Sequence, residues 1–425
     1  AAGYDQTTLS ITNATFMAVD DGAGHIRLMP RFDNNKVLSS FSTFATSAAD
    51  DGTGSQTFSM TIVPTVVHSS NDIKSMGGYY ILAPDFTLVS SIGTAANPFL
   101  GTIDGKLNTF SMSYPLVAYA EDATIKNVIL DNVTISGGTT FKVGEETKTA
   151  TGAIACVAKG ATRIYNCGIL ATNSTVETDD NGYPHISSCS SSVSTGDYVG
   201  GLVGFLDGSS RVINCYSYAD ITSGNYVGGI VGYNNVATST NSNVSATYLK
   251  TMVMNCMFYG DISGGSNKAP IYNGKIISNK YDIVNNVDVT GVGNYNYFRS
   301  EAPWAQNQDN INTPNCALMA EDRFLQRFEF FRHLLNSHRE LAAWWATGDY
   351  SKKDEMMKWV LEPSQIGSAT PFPILKEPKD QNGNTIQYPS VVNIDAENAQ
   401  IGQPRNKGGK LGTLTVNIQM GNGAD

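Results

Sequence analysis

The chain has 425 residues, a formal net charge of −10 and 16% charged residues, where an ordinary soluble domain carries roughly a quarter. An acidic chain with no long Lys/Arg cluster is a poor polyanion binder, so no nucleic-acid partner is expected. No apolar run approaches the length of about 18 residues that a membrane helix needs, so no membrane span is expected either.

Glycine supplies 41 residues, hydrophobic types 41% and aromatics 10%. That composition predicts a folded chain of many short strands and turns rather than a disordered one. The sequence begins Ala1-Ala2-Gly3, without a methionine or a signal peptide, and reads as a processed chain whose export signal has been removed.

Residues 1–70 show alternation at Thr8–Thr12, Ile26–Pro30 and Thr57–Val63. These predict half-buried strands, in a small β-sandwich-like domain or in an irregular cap for the repeats of residues 71–316. Within those repeats, Tyr198-Val-Gly-Gly-Leu-Val-Gly204 recurs as Tyr226-Val-Gly-Gly-Ile-Val-Gly232, 28 residues later. Arg211-Val-Ile-Asn-Cys215 comes after the first copy and Met252-Val-Met-Asn-Cys256 after the second, 41 residues apart. The longer spacing predicts a loop inserted near 234–248.

Weaker copies precede these, at Gly152–Ala155 with Thr162–Cys167 and at Pro115–Tyr119 with Ala123–Asn127. They are separated by polar insertions near 137–149 and 172–197. Ala269–Ile271 and Val292–Phe298 read as a degraded closing unit. Each unit offers runs of four to six apolar or β-branched residues, too short for helices and right for strands. Units this small must stack on their neighbours, which predicts a coil of parallel strands. The recurring Asn127, Asn166, Asn214 and Asn255 have two readings: stacked side-chain amides bonding from rung to rung, or simple turn formers. Cys167, Cys215 and Cys256 occupy matching positions and are expected to line up inside as free thiols rather than as disulfides.

From Ala317 the pattern changes. Phe324, Leu325, Phe328, Phe331, Leu335, Leu341 and Trp345 recur at mostly helical spacing, with Gly348 as a stop. Ser351–Glu355 reads as a capping box for a second helix ending before Pro363. Residues 317–362 are therefore expected to form a helical cap closing the end of the coil. Residues 363–425 read as an extended tail with a strand at Leu411–Ile418, which belongs to another β module or is shared with the N-terminal region.

The motif Gly201-Leu-Val-Gly204, repeated as Gly229-Ile-Val-Gly232 and each followed by Asn-Cys, resembles the GLUG-motif repeats of bacterial surface proteins. The resemblance covers about half the chain and departs from the motif at Gly152–Ala155 and Pro115–Ala118. It implies a mainly β fold, a right-handed parallel β-helix, at the bacterial surface: extracellular or anchored to the outer membrane. It also implies an adhesin-like role, with a host or bacterial surface glycan or protein as partner. The repeat itself brings no known chemistry.

Candidate chemistry is sparse. Asp220 and Asp261 precede Ile at the same repeat position and are the best recurring acid pair for a glycosidase or lyase, where two carboxylates must face one cleft. Exposed turn acids are the ordinary explanation of such a pair. Asp179-Asp180-Asn181 with Asp197, or Glu145-Glu146, show no EF-hand-like ligand order. No nucleophile elbow, HExxH or phosphate loop is present, and no cofactor is expected. Tyr216, Tyr218, Phe258 and Tyr259 lie just after the Asn-Cys pairs. An outward stripe of Tyr216, Tyr218 and Tyr259, with Asp220 and Asp261, is the candidate ligand-binding set, because a tyrosine offers a flat face and a hydroxyl handle. The leading expectation is a non-enzymatic surface protein for adhesion or ligand binding. The alternatives are a β-helix carbohydrate-active enzyme and a passive stalk.

Overall fold

The computed structural model describes side chains and backbone over residues 64–177, 186–235, 252–273, 295–298, 335–347, 355–360 and 373–376. For further strands, chiefly at the two ends of the chain, it describes the backbone pairing. The protein is mainly β, with parallel sheets, and divides into two compact units.

The first unit joins residues 1–66, 73–81 and 387–425. Its strands form a six-stranded sheet in the order Ile26–Arg31, Asp5–Asp20, Leu414–Asn422, Pro389–Ala399, Gln56–Ile62, Phe44–Asp50. All the pairings are antiparallel. The segment read as a tail, 363–425, therefore splits between the two units. Its last two strands lie in the middle of the N-terminal sheet, where both edges of each are hydrogen-bonded.

The second unit contains the repeats. Five sheets receive one short strand each from successive units. Sheet I holds Val117–Glu121, Ala155–Lys159, Val203–Gly208, Val231–Val236 and Tyr272–Gly274. Sheet II runs through Thr102–Asp104, Thr124–Lys126, Arg163–Tyr165, Arg211–Ile213 and Met252–Met254. Sheet III includes Ile129–Asp131, Gly168–Leu170, Tyr216–Ser217, Met257–Phe258, Asn296–Arg299 and Cys316–Met319. Sheet IV holds Thr134–Ser136, Ser192–Ser194 and Asp220–Ile221, and sheet V holds Glu146–Gly152, Tyr198–Gly200, Tyr226–Gly228 and Asn267–Ala269.

The register matches the repeat. Tyr198 pairs with Tyr226 and Val203 with Val231, each 28 residues on. Ala155 pairs with Val203, a longer step that accommodates the hairpin of Thr175–Thr178 with Pro184–Ser188. The insertion near 137–149 is likewise a hairpin, Thr139–Val143 against Glu146–Gly152. The inserted loop near 234–248 lies mostly outside the described residues.

Between sheets II and III the chain turns at Asn127, Asn166, Asn214 and Asn255, with φ of 57°, 54°, 55° and 55°. All four are fully buried. Their side chains form one continuous column: Nδ2 of Asn255 donates to Oδ1 of Asn214 at 2.8 Å, Asn214 to Asn166 at 2.9 Å, and Asn166 to Asn127 at 3.0 Å. The column ends on the buried carboxylate of Asp104, whose Oδ1 accepts from Asn127 Nδ2 at 2.9 Å. Both readings of the recurring Asn hold at once, since the same residue supplies the left-handed turn and the bond to the next rung.

The C-terminal helical segment lies along the flank of these rungs. Helix Arg339–Thr347 puts Ala342, Ala343, Trp345 and Ala346 against Tyr165, Ile213, Met252 and Met254, residues from three successive rungs. The second Nδ2 hydrogens of the Asn column reach across to its backbone: Asn166 to Glu355 O at 2.8 Å, Asn214 to Met357 O at 3.2 Å and Asn255 to Leu335 O at 3.2 Å. Met357 N donates back to Asn166 Oδ1, and Trp359 Nε1 to Asn214 Oδ1 at 2.7 Å. The expected end cap is thus a strap across several rungs. The expected second helix over 351–362 is corrected as well: Lys358–Glu362 is a strand, paired antiparallel with Phe372–Lys376. A fully buried Trp359 and the pairing with the next strand of the chain outweigh the local capping signal.

The motif glycines answer to close approach. A Cβ on Gly204 would sit 2.5 Å from Thr151 N, and one on Gly200 would sit 2.4 Å from Gly232 N. At these glycines the strands of sheets V and I come together backbone to backbone, which is why the motif spares no room for a side chain.

Asn214→Ala removes four hydrogen bonds and leaves a left-handed residue with a methyl group, so it should destabilise by more than about 3 kcal/mol in urea unfolding. Asn214→Gly should recover about 1 kcal/mol of that loss, the share due to backbone strain. Gly204→Ala should lower the thermal midpoint far more than Gly144→Ala. Nothing lies within 4 Å of a Cβ on Gly144, and only its φ of 62° opposes a side chain there.

Candidate binding surface

The predicted tyrosine stripe faces inward. Tyr216, Tyr218 and Tyr259 are 1%, 0% and 2% exposed, so they cannot form the outward ligand-binding set. The reason is the strap: Tyr218 donates its hydroxyl to Pro373 O at 2.7 Å, and Tyr216 packs edge-on against Trp359 with ring centroids 6.0 Å apart. Burial pushes the Tyr216 and Tyr218 hydroxyls far up from their ordinary range.

Asp220 and Asp261 are half-buried neighbours on one rank of the stack. Asp220 Oδ1 accepts the backbone N–H of Asp261 at 2.9 Å, and Ile221 bridges Ile262 beside them. One carboxylate oxygen is thus committed to holding the next rung. Asp197 accepts from Thr149 N at 2.8 Å and Glu146 pairs with Lys148 at 2.7 Å. Asp179, Asp180 and Asn181 lie outside the described residues. Among the described residues no group of three or more His, Cys, Asp or Glu side chains is arranged to hold a metal ion.

A different set of aromatics reaches the surface. Where sheets V and I meet, Tyr119, Phe141, Tyr198 and Phe205 form a cluster apart from the main core, with Tyr226 and Tyr233 packed on it and partly exposed. The rings lie close: Tyr198 to Tyr226 at 5.6 Å, Tyr198 to Tyr233 at 4.9 Å, and Phe205 stacked parallel on Tyr233 at 5.8 Å. Their order comes from register, since Tyr198 pairs with Tyr226 and Phe205 with Tyr233. The hairpin inserted at 139–152 supplies Phe141, 4.8 Å from Phe205.

Polar groups rim this cluster. Lys159 Nζ stands 5.7 Å from the Tyr119 ring and 3.9 Å from Asp207 Oδ2, while Asn235 donates to Asp207 Oδ1 at 3.1 Å. Burial raises the Tyr198 hydroxyl, opposed by the nearby Lys148 ammonium, and burial followed by the neighbouring Tyr226 raises Tyr233. Both therefore stay protonated at neutral pH, able to donate and accept hydrogen bonds. The signal for this site was present in the sequence: Tyr198 and Tyr226 open the two best copies of the repeat, and Tyr233 follows the second.

The interior thiols are inert by burial, which raises Cys156 to about 12 and Cys167 and Cys215 well above their usual value. Burial likewise raises Tyr165 to about 12, partly offset by Lys126. Unfolded thiols and tyrosines ionise near about 8.5 and 10. Between those values and the folded ones, the unfolded chain holds fewer protons than the native chain. Stability should therefore be level up to about pH 8.5 and fall as pH rises toward 12. Thermal midpoints measured from pH 7 upward check this, and a midpoint that climbs across that window would contradict it.

Comparison with protein-family models, with curated proteins and with solved structures finds no match to this chain.

Proposed function

We propose that the second unit is a right-handed parallel β-helix of GLUG-like repeats, and that the protein works without catalysis at a bacterial surface, in adhesion or ligand binding. A surface glycan is the ligand class that fits best. The observation that carries this reading is the aromatic corner of Tyr198, Tyr226 and Tyr233. Its rings are held in register by the repeat itself, two of them partly exposed, with the protonated hydroxyls of Tyr198 and Tyr233 and the Lys159–Asp207–Asn235 rim beside them.

Flat apolar faces next to hydrogen-bonding groups suit a sugar ring, which has an apolar face and a polar edge. A rigid scaffold with hairpins inserted at its turns is also the usual setting for recognition. The Asp220–Asp261 pair adds no support for hydrolysis, because Asp220 is engaged with the Asp261 backbone.

A glycan array probed with the full chain should show binding to a limited set of polysaccharides. The double change Tyr226→Ala and Tyr233→Ala should reduce that binding at least about tenfold, the effect of losing roughly 1.4 kcal/mol of contact, with the fold retained by circular dichroism. An array without binding, together with turnover of one polysaccharide, would overturn the proposal.

A further inference from the structure

At the first rungs of the second unit a lysine and an aspartate face each other out of water. Asp104 and Lys126 are direct partners on adjacent parallel strands of sheet II. The Asp104 side chain is fully buried and that of Lys126 is 7% exposed, with Nζ 3.9 Å from Oδ2. A second ammonium, Lys106 Nζ, lies 3.6 Å from the same oxygen and is 23% exposed.

The other carboxyl oxygen is held differently. Asp104 Oδ1 accepts from Lys106 N at 2.9 Å and from Asn127 Nδ2 at 2.9 Å. Two fixed N–H donors on one oxygen, with an amine beside the other, is the arrangement that stabilises a tetrahedral intermediate at a carboxyl carbon. The Tyr165 hydroxyl, on the next strand of the sheet, is hydrogen-bonded to Lys126, and Glu355 lies near that hydroxyl.

We propose that Asp104 and Lys126 become joined by an intramolecular amide bond. The reaction needs no co-reactant. One proton passes from the Lys126 ammonium to Oδ2, leaving a neutral amine and a carboxylic acid. The amine lone pair attacks Cγ, forming the N–C bond, and negative charge gathers on Oδ1 between its two donors. The nitrogen then loses a second proton, Lys106 delivers a proton to the Oδ2 hydroxyl and is reprotonated by the one released, and the Cγ–Oδ2 bond breaks to expel water. Nothing is oxidised or reduced. Holding amine and carboxyl together in a packed interior supplies the proximity that makes such a condensation feasible. The product would tie two adjacent rungs covalently.

The intact mass of the folded full-length chain decides the matter. It should be lighter than the sequence mass by one water in essentially the whole population, and digestion should give a branched peptide joining the segments around 104 and 126. Lys126→Arg keeps the positive charge and should restore the full mass. Asp104→Asn keeps the acceptor oxygen and should lose ammonia instead of water. Lys106→Met should slow the mass change after refolding. The proposal is overturned if the wild-type chain has the full sequence mass. It is also overturned if the branch maps to Lys106, or if the water loss persists in Lys126→Arg and is reversed by hydroxylamine, as a succinimide at Asp104–Gly105 would be.

Discussion

The second unit depends on one repeated demand: the chain must turn through the left-handed region between sheets II and III while staying buried. Asn meets it because its short side chain tolerates that conformation and its amide has partners in two directions. One Nδ2 hydrogen and one Oδ1 lone pair run along the column, from Asn255 down to Asn127. The remaining hydrogens point to the strap, at Glu355, Met357 and Leu335. Turn, rung spacing and strap thus share a single residue type. Buried polar networks of this kind are stabilising only when their members are satisfied. The column's polarity is set at its foot, where Asp104 Oδ1 accepts from Asn127 Nδ2. At its head Asn255 Oδ1 has no hydrogen-bond partner among the described residues. The next residue at that turn is Tyr295, also left-handed with a φ of 44° and without an amide. The column stops where the repeat loses its Asn.

The glycines and the low charge have a common origin. Where sheets V and I converge, the strands approach so closely that any side chain at Gly200, Gly204 or Gly232 would strike backbone. Convergence leaves little surface for charged groups on those strands. It also brings Tyr198 and Phe205, from the two sides of the corner, within 5.1 Å. The motif therefore builds the scaffold and the candidate binding surface in the same step. Spacing by glycine brings two faces together, and the aromatic positions on either side of it determine what those faces present.

The parts legible in the sequence were those that recur. The offset of 28 residues is the observed register of Tyr198 with Tyr226, and the extra lengths near 137–149 and 172–197 are hairpins. The Asn and Cys columns followed from matching positions. What failed to show was set by contacts far away in sequence. Tyr216 and Ser217 make a strand of only two residues, too short for alternation to tell inside from outside. The face carrying Tyr218 is covered by Pro373, 155 residues later. In the same way Lys358–Glu362 follows a helical capping signal at Ser351–Glu355, yet its strand is fixed by Phe372–Lys376 and by Trp359 reaching the Asn column. Non-local partners leave no periodic mark on the segment they capture.

Three of the cysteines, Cys167, Cys215 and Cys256, show how closely the interior is fixed by the rungs themselves. Each follows an Asn and points its thiol at two carbonyls. One is two residues back in its own rung, at 3.4 Å for Cys167 and 3.2 Å for Cys215 and Cys256. The other is on the preceding rung, at 3.8, 3.9 and 3.7 Å. A weak donor of that size fills the space under the turn in these three rungs, as the fully buried Val128 does after Asn127. Because the rungs of Cys167, Cys215 and Cys256 must satisfy this geometry and the Asn geometry together, those positions have little freedom to vary. The hairpin at 139–152 and the partly exposed Tyr226 and Tyr233 answer to no such column. Sequence changes can therefore accumulate at the corner and its hairpin while the interior columns keep the rungs in register.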